Sequence, residues 1–176
     1  MTDILEEIAR PSWLSLPVIT ARLLFAALLG GAIGFEREWR ARPAGIRTHI
    51  LVCVAAATFA ILTIEIVHAP VFGRESISVD PIRVVEAVTA GVAFLAAGSI
   101  IFSRGKVQGL TTGAGMWLAG AVGLACGFGL WLIALLGAGL VLVVLGLLHF
   151  FEEKLGIAAD KKAPAVETSE TRDGSE

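Results

Sequence analysis

Charge is what this sequence has least of. Only 17% of its 176 residues are Asp, Glu, Lys or Arg, against about 25% in an average soluble domain. The deficit is uneven, because charge collects in short blocks between long apolar runs, and that distribution argues against a soluble globular chain. Cysteine is scarce too. Cys53 and Cys126 form no CxxC pair, and a lone Cys within an apolar run behaves as a small hydrophobe. His49 has no second His or Cys at ligand spacing, so no metal site is expected. No nucleophile stands with a base, and no P-loop or dinucleotide fingerprint occurs. The residues therefore predict neither an enzyme, a cofactor nor a nucleic-acid partner. A basic leader is also missing. The first ten residues hold Asp3, Glu6 and Glu7 against Arg10, the wrong sign for a signal peptide.

What is present is hydrocarbon in helix-spanning lengths. A bilayer core about 30 Å thick needs ~20 helical residues. The run LWLIALLGAGLVLVVLGLLHFF, 130–151, has His149 as its only ionisable group. Five spans are read: 17–36, 49–67, 82–102, 111–127 and 130–152. The fold class is all-α, a polytopic membrane protein. Residues 1–16 form an extracytoplasmic segment, 17–152 the membrane domain and 153–176 a polar tail, expected to be disordered and cytoplasmic. Pro43 and Gly45, then Pro70, Gly73 and Pro81, then Gly105 and Gly109 break the joints; Gly127-Phe128-Gly129 makes the last one a tight hairpin. Lys and Arg set the orientation. With the N-terminus outside, Arg37, Arg40, Arg42, Arg47, Arg104, Lys106, Lys154, Lys161, Lys162 and Arg172 fall inside, ten of the fourteen basic residues.

Residues 17–57 align with 81–121 at a constant shift of 64, matching Pro17/Pro81, Gly34/Gly98, Arg40/Arg104, Gly45/Gly109 and Thr48/Thr112. This predicts two duplicated helical hairpins related by an axis along the membrane normal, with the fifth helix outside the repeat. Gly115, Ala119, Gly123 and Gly127 lie on one face of the fourth span, a small-residue stripe suited to close helix packing. At the cytoplasmic ends, two helix starts present free N–H groups and positive dipole ends. Arg42, Gly45, Arg47, Thr48, Arg104, Lys106, Gly109, Thr111 and Thr112 are the candidate anion or lipid-headgroup residues, with threonines as N-caps the plainer reading. Glu36 and Glu38 are placed to pair with Arg40 and Arg42 at i,i+4. Asp80 can cap the third helix with Pro81 in its first turn. Arg22, Glu65 and Glu86 are ionisable groups within spans; Arg22 and Glu86 align in the repeat and are expected to pair, with snorkelling of Arg22 to the outer headgroups the plainer alternative.

GGAIGFEREWRARPAGIRTHILV, DPIRVVEAVTAGVAFLAAGSI, VQGLTTGAGMW and GLACGFG, spread over about residues 20–130, resemble the signature of the MgtC/SapB family of bacterial inner-membrane proteins. Glu36, Arg37, Arg40, Asp80 and Arg83 are the charged members of that signature. The resemblance implies about five transmembrane helices and a link to growth in low magnesium and survival inside host cells. It also implies modulation of other membrane proteins, the F-type ATP synthase among them, rather than magnesium transport. In place of that family's soluble C-terminal domain this sequence has the short polar tail. Thr111 stands where the family's GLNT has Asn, and Ala93 and Ala96 replace two glycines. Two readings result: a non-enzymatic modulator acting through helix contacts, lipid or homo-oligomers, or a small ion or lipid transporter using the intramembrane charges.

Overall fold

A computed structural model describes residues 12–69, 80–103 and 106–154. Its elements are helix α1 (Leu16–Trp39), α2 (Ile46–His68), α3 (Pro81–Ser99), strands β1 (Ile101–Ser103) and β2 (Lys106–Gln108), and helices α4 (Leu110–Gly127) and α5 (Trp131–Lys154). The first eleven residues, the 70–79 loop, Arg104, Gly105 and the tail from 155 lie outside the described residues. Helices α1 to α4 are each long and apolar enough to cross a membrane, and α5 is apolar from Trp131 to Leu147. The five expected spans are therefore present, with altered ends.

The largest alteration is at the close of the third span. The helix stops at Ser99, where an uninterrupted helix to 102 was expected, and an antiparallel ribbon follows. Its register pairs Ile101 with Gln108 and Phe102 with Val107. Ile100, Ile101 and Phe102 are β-branched or aromatic and favour extended backbone, and only two residues separate the strands, the length of a tight hairpin link. At the other joint α2 starts at Ile46, because Glu38 reaches from the end of α1 to accept the Ile46 N–H at 2.9 Å. That cap comes from eight residues away, and it makes Thr48 a first-turn residue instead of an N-cap. Likewise α4 starts at Leu110 behind Gly109, whose φ of 90° is left-handed. Thr111 and Thr112 thus lie inside the helix.

Helices α2 and α4 form the middle of the bundle; α1 packs on α2, and α4 also meets α1, α3 and α5. The small-residue stripe makes this possible. A Cβ on Gly123 would lie 2.3 Å from the Cys53 carbonyl oxygen, and one on Gly127 the same distance from that of Ala57. Ala56, Ala57 and Ala60 answer from α2, each almost wholly buried. Without side chains between them, the two backbones come close enough for dispersion contacts to replace the hydrophobic drive that lipid does not supply. The Cys53 thiol donates to Ala119 O at 3.0 Å across this seam.

The duplication is visible in the contacts, with a corrected register. Gly31 against Ile50 and Gly34 against Ile46 in the first hairpin correspond to Ala96 against Gly113 and Ser99 against Gly109 in the second. Positions in α1 and α3 then differ by 65, and those in α2 and α4 by 63, because the matched positions 99 and 109 are two residues closer in sequence than 34 and 46. A gap-free shift of 64 is one residue wrong in both helices. One residue is about 100° of rotation, enough to match a packed face with a lipid face.

Candidate functional site

The basic end of the bundle carries a buried polar cluster. The last turn of α1 holds Arg37, only 3% exposed, whose Nη2 donates a long bond of 3.4 Å to the Thr111 hydroxyl. Glu36 lies within ion-pair distance of Arg37 (3.9 Å) and of Arg40, yet neither of its oxygens is in hydrogen-bonding line with a partner. The chain then turns through Ala41 and Ala44 at φ 49° and 56°, a left-handed conformation uncommon for residues with a Cβ. Arg42 N–H closes the turn on Arg37 O at 3.0 Å.

His49, one turn into α2, has no exposed surface. Its Nδ1 lies 3.0 Å from Gly45 O, a carbonyl that can only accept, so this nitrogen carries the proton. Nε2 is left bare, without a partner, and faces α4, where a Cβ on Gly115 would be 3.4 Å away. Thr112 is 1% exposed. The cluster holds one N–H in want of an acceptor, Arg37 Nε, and three acceptors in want of a donor, His49 Nε2 and both Glu36 oxygens. Buried polar groups without partners are uncommon, and the guanidinium lies beside the first turn of α4, whose dipole is also positive. The arrangement suits a group that brings one acceptor for the guanidinium and hydroxyl donors for the imidazole and the Glu36 carboxylate.

Sequence reasoning found part of this. Thr111 is brought to Arg37 and Thr112 is buried on the next position of α4, and Gly45 and Gly109 are the N-cap residues of α2 and α4. Arg42 and Arg47 are exposed and Thr48 is half-buried. Arg104 and the Lys106 side chain lie outside the described residues, although Lys106 belongs to β2. Glu36 pairs with Arg40 as expected, whereas Glu38 caps α2 and makes no ion pair with Arg42 among the described residues. His49 was passed over as a solitary histidine. Its signal was being an ionisable residue at the start of an otherwise apolar run.

At the far end two of the three intramembrane charges, Arg22 and Glu65, have structural partners. Arg22 Nη1 donates to Gly127 O at 2.7 Å. It completes the C-terminus of α4, where Phe128, Leu130 and Gly129 already satisfy the Leu124, Ala125 and Cys126 carbonyls. Gly129, at φ 78°, closes this Schellman turn. The expected Arg22–Glu86 pair is not formed: α1 and α3 lie on opposite sides of α2 and α4, and in the corrected register Arg22 matches Ala87. Glu86 is exposed. Glu65 accepts the Trp13 and Leu14 N–H groups at 2.8 and 2.9 Å, while Trp13 stacks on His68. Asp80 accepts the Ile82 N–H at 2.9 Å, the cap read from the sequence, and Arg83 is exposed on the next turn.

The sequence profile of the MgtC family matches residues 23–154, from the first turns of α1 to the end of α5. The chain belongs to the MgtC family. It is 37% identical over 128 residues to the putative magnesium transporter YhiD of Escherichia coli K12, covering 73% of this chain and 59% of the relative. It is 43% identical over 130 residues to Protein MgtC of Brucella abortus, covering 73% and 46%. An uncharacterised protein of Synechocystis is 40% identical over 122 residues, covering 69% and 48%. The chain thus spans about half the length of the curated relatives it matches. No solved structure matches it. The Glu36–Arg37–Arg40 cluster, with Arg37 buried and its two neighbours partly so, lies inside the matched region of this MgtC-family membrane protein.

Proposed function

We propose that this protein is a non-enzymatic modulator of other membrane proteins or of membrane physiology under magnesium limitation, working through its basic end. By the Lys/Arg asymmetry that end faces the cytoplasm. The observation that carries this reading is the seam between α2 and α4. Along it, glycines on α4 touch backbone atoms of α2, which leaves no room on the central axis for a hydrated ion. A magnesium ion keeps several waters and prefers oxygen ligands, whereas the buried groups here are a guanidinium, an imidazole and one glutamate. The transporter reading, which the name of the Escherichia coli relative suggests, would need intramembrane charges free to work. Arg22 and Glu65 are instead engaged with backbone groups. Arg37, with Thr111 and Thr112, would hold an anionic group, a phospholipid headgroup or a phosphate, that biases contact with a partner. The F-type ATP synthase named by family resemblance is one such candidate.

The test is flux in sealed proteoliposomes loaded with a magnesium-sensitive dye, together with growth of a deletion strain in limiting magnesium. Modulation predicts flux equal to protein-free vesicles and a growth defect complemented by wild type but not by Arg37→Gln at equal protein level. Magnesium flux abolished by Arg37→Gln or Glu86→Gln would establish transport instead.

A further inference from the structure

The two hairpins are duplicated but their flanks are not filled alike. Beside α1 and α4, the groove is closed by Arg22 and by α5, whose Ala134, Ala138 and Val141 are buried and whose Gly137 approaches Val122. In the corrected register the equivalent groove lies between α3 and α2. There Ala87 stands where Arg22 would and Gly91 where Ala26 would, and among the described residues no helix corresponds to α5. The result is an open groove of about 610 Å³, lined by Ala55, Phe59 and Leu62 on α2 and by Ala87, Gly91 and Arg83 on α3, among others. A Cβ on Gly91 would meet nothing within 4 Å.

Two features decide what fits. Arg83 is the only charged residue in the lining among the described residues. It sits in the first turn of α3, at the membrane-surface end of the groove. The one other polar side chain there, Thr63, donates its hydroxyl to Phe59 O at 2.8 Å and offers nothing further. The occupant is therefore apolar along its length and anionic at one end. At about 30 Å³ for a water-sized group, the space takes about 20 methylenes, the bulk of one acyl chain. That is less than two turns of a helix about 10 Å across.

We infer that the α2–α3 groove binds one acyl chain of an anionic phospholipid, with the lipid phosphate against Arg83. The site is at the opposite end of the molecule from the Arg37 cluster and stands or falls independently of it. The full chain is reconstituted in nanodiscs of equal phosphatidylglycerol and phosphatidylcholine, released into mild detergent, and its retained lipid counted by native mass spectrometry. Wild type keeps one phosphatidylglycerol. Gly91→Leu fills the groove and loses it while melting within a few degrees of wild type, and Ala87→Leu repeats the loss from the adjacent turn. Gly139→Leu, on a part of α5 that is equally open, keeps the lipid. Arg83→Gln keeps a lipid but lowers the preference for phosphatidylglycerol over phosphatidylcholine about fivefold. Undiminished lipid in both groove-filling variants overturns the site. So does a wild-type dimer that Gly91→Leu converts to monomer, since the groove would then belong to a second copy.

Discussion

Arg22→Leu separates two accounts of an arginine at membrane depth. With its donor gone, Gly127 O, the last carbonyl of α4, loses its partner at 2.7 Å. A hydrogen bond to a charged group contributes about 1.5–3 kcal/mol in water-soluble proteins. Double-mutant cycles within membranes average only about 0.6, reaching ~1.7. The favourable position of a cation at a helix C-terminus adds about 0.3–1 kcal/mol. Removing a guanidinium from the membrane works in the opposite direction, by less than the ~2.5–3.5 kcal/mol that insertion scales give at a helix centre, because Arg22 lies in the second turn of a 24-residue helix. The net expectation is a loss of about 1 kcal/mol. Glu86 is exposed and has no hydrogen bond or ion pair among the described residues, so Glu86→Leu alone should change stability by less than about 0.5 kcal/mol. The double variant should equal the sum within about 0.5 kcal/mol, as for independent sites. Unfolding by SDS in mixed micelles, followed by tryptophan fluorescence, measures all three. Trp131 packs edge-on to Phe25, at 5.2 Å between ring centroids, and reports on the affected contact. If Glu86→Leu recovers more than half of what Arg22→Leu loses, the two charges are coupled and the capping account is wrong.

Three further outcomes are expected. Gly127→Ala places a methyl 2.3 Å from Ala57 O and 2.6 Å from the Ala60 Cβ, and it should destabilise by about 1–3 kcal/mol in the same titration, as overpacking does. Cys53 and Cys126 are fully buried; maleimide should leave both unmodified in mild detergent and label both in SDS, and fast labelling of the folded form would contradict the packed seam. Asp80→Ala removes the α3 cap and should cost about 1 kcal/mol, with Asp80→Asn recovering most of it; no loss would mean that the 2.9 Å bond to Ile82 is not formed in the membrane.

Local chemistry was readable wherever the partner lay nearby in sequence. Asp80-Pro81 announced a capped helix start, the Gly-Phe-Gly joint a tight hairpin, and the glycine stripe on α4 a close helix contact; each needs only neighbouring residues or one helix face. What stayed hidden depends on pairs distant in the chain. Glu38 caps Ile46 by reaching back across a loop, and Arg22 meets a carbonyl 105 positions away. Arg37 and Arg47 look equally basic in the sequence, yet the first is buried on α4 and the second faces out, a difference set by helix rotation. His49 could be seen but not weighed, because its importance lies in a bare nitrogen turned towards a glycine of another helix.

The register error accounts for more than one misplaced pair. Matching 64 positions apart kept Pro, Gly and Thr identities in line and so favoured residues whose likeness is chemical. The contacts require 65 in one helix and 63 in the next, which keeps packed faces in line and makes His49 the counterpart of Thr112. Both are buried at the seam, one with a ring and one with a hydroxyl. The duplication has thus diverged where the helices meet, and the polar cluster that results is one-sided. The same asymmetry recurs on the flanks, where a single α5 serves two equivalent grooves. Among the described residues, a bundle of two hairpins and one further helix leaves one groove uncovered, and it lies beside α3, the least buried of the four spanning candidates at 17%.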